Sequence, residues 1–267
     1  MILIFILLLA LFSSTMFYYL GENPCLYQLT PYTWETEPFR DMKLGGTLTE
    51  LEHLNYEQIA ALMIHHNFDL TNCKDLSYHN QRIILEKAPD YKKLANAYQV
   101  ILKDLKYFPI PDSTKSDTPK TVYDNSWKEQ RNYGGTRSHE GCDIMGSERE
   151  RGFYPVVSIS DGVVEKIGWL EKGGWRLGIR TQSGTYLYYA HLYRYSQDFK
   201  EGDVITAGQL IGYMGDSGYG KVENTIGNFD VHLHLGIYIK TDHYEELSIN
   251  PYWILRYLEK NKLHYYY

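Results

Sequence analysis

The spacing of apolar residues changes character along this chain, and each change marks a different kind of element. Residues 1–20, MILIFILLLALFSSTMFYYL, carry no charged side chain, and the first acidic residue is Glu22. A run of that length is about what a helix needs to cross a bilayer core. Beyond it, Pro24, Pro31, Pro38 and the Gly45-Gly46 pair break the pattern. Helical spacing then appears. Thr47 with Glu50 and Asn55 with Gln58 have the separation of capping boxes, which predicts two short helices, with Ile59, Leu62 and Met63 as the buried stripe of the second. A further helix is expected around Tyr78–Lys87, and a clearer one over Tyr91–Lys106 with Leu94, Tyr98, Ile101 and Leu105 on one face. Residues 109–120, PIPDSTKSDTPK, are polar, rich in Pro and Ser and without apolar period, the pattern of a linker.

After residue 120 the period becomes that of strands. Pro155–Ser160 and Val163–Ile167 flank Asp161-Gly162, which predicts a hairpin. Trp175–Thr181 and Thr185–Tyr193 form a second pair around Gln182-Ser183-Gly184, and glycines punctuate Val204–Tyr213. Phe229–Ile239 is a further β-rich run, and Asn250-Pro251 reads as an N-cap with Pro at N1, opening a short helix with Ile254 and Leu258 inward. The expected architecture is mainly β, an antiparallel β-sheet domain over 121–262, preceded by a mostly helical module over 22–108, the linker 109–120 and the apolar segment 1–20.

Composition narrows the function. With 267 residues and a net charge of −6, the chain is long enough to bury a core and offers no broad basic surface for nucleic acid. Its 26 tyrosines suit half-buried strands and grooves that bind polar polymers. Cys25, Cys73 and Cys142 are odd in number and give no disulfide framework; Cys142 is expected to be a small buried filler pointing away from Asp143. Residues 1–20 are a signal anchor or a signal peptide. No A-x-A-like site follows them and no Lys/Arg flank precedes them, which favours an anchor. Cys25 follows Gly-Glu-Asn-Pro and so forms no lipobox. Either way the rest of the chain is expected to be exported, anchored to a membrane facing the cell wall or secreted.

Three fragments carry the chemistry: His139-Glu140-Gly141-Cys142-Asp143, Tyr189-Ala190-His191-Leu192 and His232-Leu233-His234. Imidazole nitrogen and carboxylate oxygen suit zinc, and a catalytic zinc site takes three protein ligands and keeps one position open. The glycine between His139 and Asp143 argues for a turn or strand edge there rather than a helix. His232 and His234 are two apart on a strand and share one face, so one can bind metal while the other handles protons. His191, at the end of its strand, can serve as a second proton-handling or orienting group. His53, His65, His66 and His79 accompany no comparable carboxylate pattern and read as ordinary histidines.

In order and spacing these fragments resemble the M23 (lysostaphin/LytM-type) zinc endopeptidases of bacterial cell walls. The family's HxGxD is matched by His139–Asp143, its YxHL by Tyr189–Leu192, its GxxVxxGQxIGxxGxSG segment by Gly202–Gly218 and its HLH by His232–His234, while Asn250-Pro251 resembles the family's ending. The resemblance runs from about Tyr133 to Ile239. It implies that His139, Asp143 and His234 bind Zn(2+), that His191 and His232 are the catalytic pair, and that Tyr133 helps stabilise the oxyanion. It also implies a barrel-sandwich-hybrid-like peptidase domain and hydrolysis of peptidoglycan stem peptides or cross-bridges. One departure stands out: Tyr219–Asp230, YGKVENTIGNFD, intervenes before the HLH run, and Val231 stands where the family usually has Pro. That insertion is expected to form a loop beside the metal. Two alternatives compete. A non-enzymatic relative would use the same fold to bind wall material or a partner protein, but such relatives typically lack a zinc ligand. A lipoyl-like carrier domain would need a lysine at a hairpin tip, and none occupies Asp161-Gly162.

Overall fold

Residues 2–23, 25–45, 53–73 and 88–267 are described by a computed structural model of the chain. The cap expected at Thr47–Glu50 and the helix expected at Tyr78–Lys87 lie outside these residues, as does His79. Two units separate: Met1–Phe39 with Lys43–Tyr98, and Arg40–Met42 with Gln99–Tyr267.

The first unit is helical. Ile2–Glu22 is one helix with none of its side chains buried, apolar and long enough to cross a membrane. Helix Tyr56–His65 starts at the expected capping box: the Asn55 side chain accepts the Gln58 amide and the Gln58 side chain accepts the Asn55 amide, both at 2.9 Å. Ile59, Leu62 and Met63 are buried as their spacing requires. The next helix runs Ala88–Leu102 and buries Leu94, Tyr98 and Ile101. It ends before Leu105, which instead forms a β-bridge with Ser160.

The second unit is built on an antiparallel sheet. Its strands are β1 (Asp112–Ser113), β2 (Thr121–Tyr123), β3 (Gln130–Arg131), β4 (Arg137–Ser138), β5 (Cys142–Gly146), β6 (Pro155–Val157), β7 (Gly162–Leu170), β8 (Gly174–Arg180), β9 (Tyr186–Tyr195), β10 (Val204–Ile205), β11 (Leu210–Met214), β12 (His232–Ile239), β13 (Leu247–Ile249) and β14 (His264–Tyr265). The central order is β10-β7-β8-β9-β12-β5-β2, with β11 joining β6 to β9, and β13 on β12. Residues 109–113 lie along this unit: Ile110 is buried, the Pro109 carbonyl accepts the Val157 amide at 2.9 Å, and β1 pairs in parallel with β14.

Alternation decides which residues face the core. On β12, Leu233, Leu235, Ile237 and Ile239 point into it, and each fully buried Leu or Ile contributes on the order of 1.5–3 kcal/mol. His232, His234, Gly236 and Tyr238 take the opposite face. On β5, Cys142 and Ile144 face the core while Asp143 does not; the Cys142 thiol contacts the Asp124 carbonyl at 3.4 Å, the buried filler expected of it. The β8–β9 hairpin forms as expected. The hairpin expected at Asp161-Gly162 does not. Strand β6 pairs with β11, and β7 pairs with β8 and β10. Asp161 instead turns a corner, its carboxylate accepting the Ala207 amide at 2.7 Å. At the C-terminal end the helix is Tyr252–Leu258, one residue later than the sequence suggested, and Asn250 Oδ1 accepts the Tyr252 amide at 3.0 Å.

Candidate metal centre

Three strands bring the histidines and the aspartate together. His234 on β12 lies opposite Asp143 on β5 and Ala190 on β9 in the ladder registers. His139 follows β4, its amide bonded to the Glu129 carbonyl at 2.8 Å. Gly141 explains the glycine between them: a Cβ there would run into the His234 ring and stand 2.8 Å from the Leu235 carbonyl oxygen. Only a bare Cα lets the two segments close.

The resulting cluster is tight. His139 Nε2, Asp143 Oδ1 and His234 Nδ1 lie 3.0 Å from one another. Ligand atoms about 2.0–2.1 Å from a tetrahedral zinc are separated by roughly 3.3 Å, so the set is close to a ready-made coordination face. His139 Nδ1 donates to the Ser126 carbonyl at 2.9 Å, which leaves the lone pair on Nε2. Lone pairs and a carboxylate oxygen thus converge on one point, the condition a cation satisfies. Among the described residues this is the one group of His, Cys, Asp or Glu so arranged. Asp143 Oδ2 accepts from the Arg131 guanidinium at 3.0 Å, which fixes the carboxylate with Oδ1 towards the histidines.

Electrostatics follow from burial. Burial alone would raise the Asp143 carboxyl, but its close polar contacts with the His139 and His234 rings and the charges of His234 and His232 outweigh it and hold the group well below the usual carboxylate range. For His234, burial lowers the imidazole against the opposing pull of Asp143.

His191 reaches the site by breaking alternation. Ordinary pleating would send it inward with Tyr189. Its backbone is left-handed, φ 61°, and the β8–β9 register slips between Trp175 and Leu177, so an extra β9 residue is accommodated there. Its ring lies 4.7 Å from that of His232 and 5.9 Å from that of His234. His191 Nδ1 donates to the Ser217 carbonyl at 2.8 Å and His232 Nδ1 to the Asp230 carbonyl at 2.7 Å. Each ring therefore keeps Nε2 free to accept a proton. Burial pushes His191 well below its ordinary value, helped by the charges of His232 and His234.

The cluster floors a cleft of about 280 Å³ whose lining includes Arg137, Lys172, Tyr188, Tyr219 and Tyr238. Tyr133 does not line it; its ring stacks on Tyr219 at 4.4 Å between centroids. Tyr189, the tyrosine of the YxHL fragment, is fully buried and its hydroxyl accepts the Ile159 amide at 3.0 Å. The inserted Tyr219–Asp230 segment does lie beside the site. Phe229 packs on His191 at 4.6 Å and on His232 at 5.1 Å, and Asp216 ties the loop down by accepting the Gly227 amide at 2.9 Å. Sequence reasoning missed Arg131, Arg137, Lys172, Tyr188 and Tyr238. Strand parity with His234 could have found Tyr238; no periodic signal marks the three cations.

The sequence model described as Peptidase family M23 matches residues 137–247. An L-Ala–D-Glu endopeptidase of Bacillus subtilis is 40% identical over 171 residues, which cover 64% of this chain and 49% of that protein. Lysostaphin of Staphylococcus simulans is 39% identical over 67 residues, 24% of this chain and 13% of that one. The chain thus spans about half the length of the first of these relatives and a small part of the second. A crystal structure from Ruminococcus gnavus, provisionally described as a glycyl-glycine endopeptidase lytM, superposes with a TM-score of 0.78 at 41% identity, covering 90% of this chain and 97% of that one.

Proposed function

The chain belongs to peptidase family M23, and on that basis we propose that it is an exported zinc endopeptidase acting on the stem peptides or cross-bridges of bacterial peptidoglycan. The observation that carries this reading is the convergence of His139 Nε2, Asp143 Oδ1 and His234 Nδ1 at the floor of a cleft that also holds two further histidines. His139, Asp143 and His234 would hold the zinc. Bound there, zinc would supply a Lewis acid that polarises the scissile carbonyl and lowers the pKa of water.

The remaining work falls to the chain's own side chains. Nε2 of His232, oriented by the Asp230 carbonyl, takes a proton from the attacking water. His191 is held neutral by burial and oriented by the Ser217 carbonyl, so its Nε2 stands beside the His232 ring as a second proton acceptor, and the proton that His232 takes up is the one returned to the leaving amine. General acid–base groups of this kind contribute about 10²–10⁴-fold to rate. Tyr133 acts through Tyr219, which its stacked ring holds at the edge of the cleft. Helix Ile2–Glu22, apolar and with no buried residue, supports a signal sequence or membrane anchor and hence action outside the membrane.

The test is digestion of purified peptidoglycan by the zinc-loaded chain, with mass analysis of released peptides, beside a His191→Ala variant. Release of peptides with new termini by the wild type alone supports the reading. No release by a wild type that holds zinc sinks the enzyme reading in favour of a non-enzymatic binding protein.

A further inference from the structure

The fold matches its cations with carboxylates near this cleft, except in one place. Arg131 is paired with Glu129 and Asp143, both at 3.0 Å, and Arg180 grips Glu165 with two bonds of 2.6 and 2.7 Å. Glu140, the other acid of the lining, faces Arg40 at 4.0 Å. Arg137 and Lys172 also line the cleft, yet neither has a carboxylate partner among the described residues. Arg137 donates to the Tyr219 hydroxyl at 3.0 Å, and its Nε is buried without any partner. Arg176, on β8 and outside the cleft lining, likewise buries an unpartnered Nη1, and its charge reaches the Tyr188 hydroxyl together with that of Arg137.

An unpaired buried guanidinium nitrogen is costly, and the Arg137 guanidinium that carries it also borders the cleft beside Lys172. The positions are also fixed. Arg137 is held on β4 by the Tyr219 hydroxyl, and the Lys172 stem crosses from the β7–β8 turn towards Gly134, where a Cβ would stand 3.2 Å from Lys172 Cε. In a protein of net charge −6, this is a local positive wall beside the candidate metal centre.

We propose that Arg137 and Lys172, backed by Arg176, form a carboxylate-binding subsite, so that the peptide the cleft takes is acidic beside the bond that is cut rather than a run of glycines. This rests on reading the cleft as that of a peptidase, and it assigns the substrate class of that same site. The arginine supplies a planar fork that can accept a carboxylate in two bonds, and the lysine a point charge at the rim.

The test compares a tripeptide containing L-Ala-D-Glu with a free carboxylate and the same tripeptide with that carboxylate capped as the amide. Binding of each to the zinc-stripped full chain in detergent is measured by calorimetry, and cleavage of each by the zinc-loaded chain by chromatography. The acid is expected to bind about tenfold more tightly than the amide, with the ratio shrinking as salt rises from about 0.05 to about 0.5 M. In Arg137→Gln and Lys172→Gln the ratio falls towards one, while Arg137→Lys keeps part of it. General damage to the fold would weaken both ligands and leave the ratio alone. A wild-type ratio within about twofold of one, or a ratio that Arg137→Gln and Lys172→Gln together leave unchanged, overturns the subsite. Equal cleavage of both peptides would remove the subsite and leave the peptidase reading standing. Preferential binding of the acid without cleavage of either would do the reverse.

Discussion

Replacing Gly141 by alanine tests how closely the two sides of the metal cluster must approach. The new Cβ would lie 2.5 Å from His234 Nε2 and 2.8 Å from the Leu235 carbonyl oxygen, where ordinary contacts are 3.4–4 Å. Neither neighbour yields easily, since His234 is wedged between His139 and Asp143 and the Leu235 carbonyl belongs to a strand paired on both sides. The 139–141 segment must therefore retreat by about 1 Å from β12. Metal sites tolerate ligand displacements of only about 0.2 Å, so zinc affinity should fall by at least about 100-fold. The same overpacking should cost about 1–3 kcal/mol of stability in the metal-free protein. Zinc affinity is read by competition with a chromophoric chelator, and stability by thermal melting after chelation. A Gly141→Ala protein whose zinc affinity stays within about threefold of wild type would refute the close-approach argument.

Other changes separate the site's parts. His191→Ala and His232→Ala should each retain zinc at wild-type stoichiometry while losing about 100-fold or more in peptide release; loss of zinc in either would make that residue a ligand instead. Asp216 is buried, grips Arg151 at 2.6 and 2.8 Å and accepts the Gly227 amide, so Asp216→Ala should destabilise. Because Arg151 is 39% exposed, the expected loss is only about 2 kcal/mol, or roughly 4–8 °C in melting temperature. Glu165 is held below its ordinary value by the hydrogen bond and charge of Arg180. A depressed carboxyl stabilises above its unfolded pKa and loses that contribution as pH falls through the folded one. Glu165→Gln should therefore melt slightly below wild type at neutral pH, by under about 1 kcal/mol since the pair is partly exposed, and the gap should close on acidification. A gap that widens in acid would contradict the pairing.

Much of the site can be read in the chain because strand parity is a local rule. His232 and His234 share a face whatever the partner strands, and Asp143 and Cys142 must face opposite ways. The glycine between His139 and Asp143 signalled a non-helical approach, and the structure shows what needed the space. What parity could not supply were the exceptions and the long-range choices. His191 joins the cleft through a left-handed residue in a bulge, against the alternation its neighbours obey. Asp161-Gly162 looked like a hairpin because both flanks are β-rich, but the all-buried β6 finds its partner in β11, some fifty residues on. Arg131 and Arg137 come from a two-strand ribbon and Lys172 from a turn, where no hydrophobic period constrains which side chain points at the cleft. The Tyr219–Asp230 insertion stood out in the sequence; that Phe229 rests on both proton-handling rings did not.

The assignment of His139, Asp143 and His234 as the metal-holding set is decided by anomalous scattering at the zinc edge from crystals of the full chain grown with zinc. A single strong peak shared by His139 Nε2, Asp143 Oδ1 and His234 Nδ1, absent in His234→Ala, is the expected result. A peak held by other residues, or a wild-type cluster that stays empty in the presence of zinc, would contradict it.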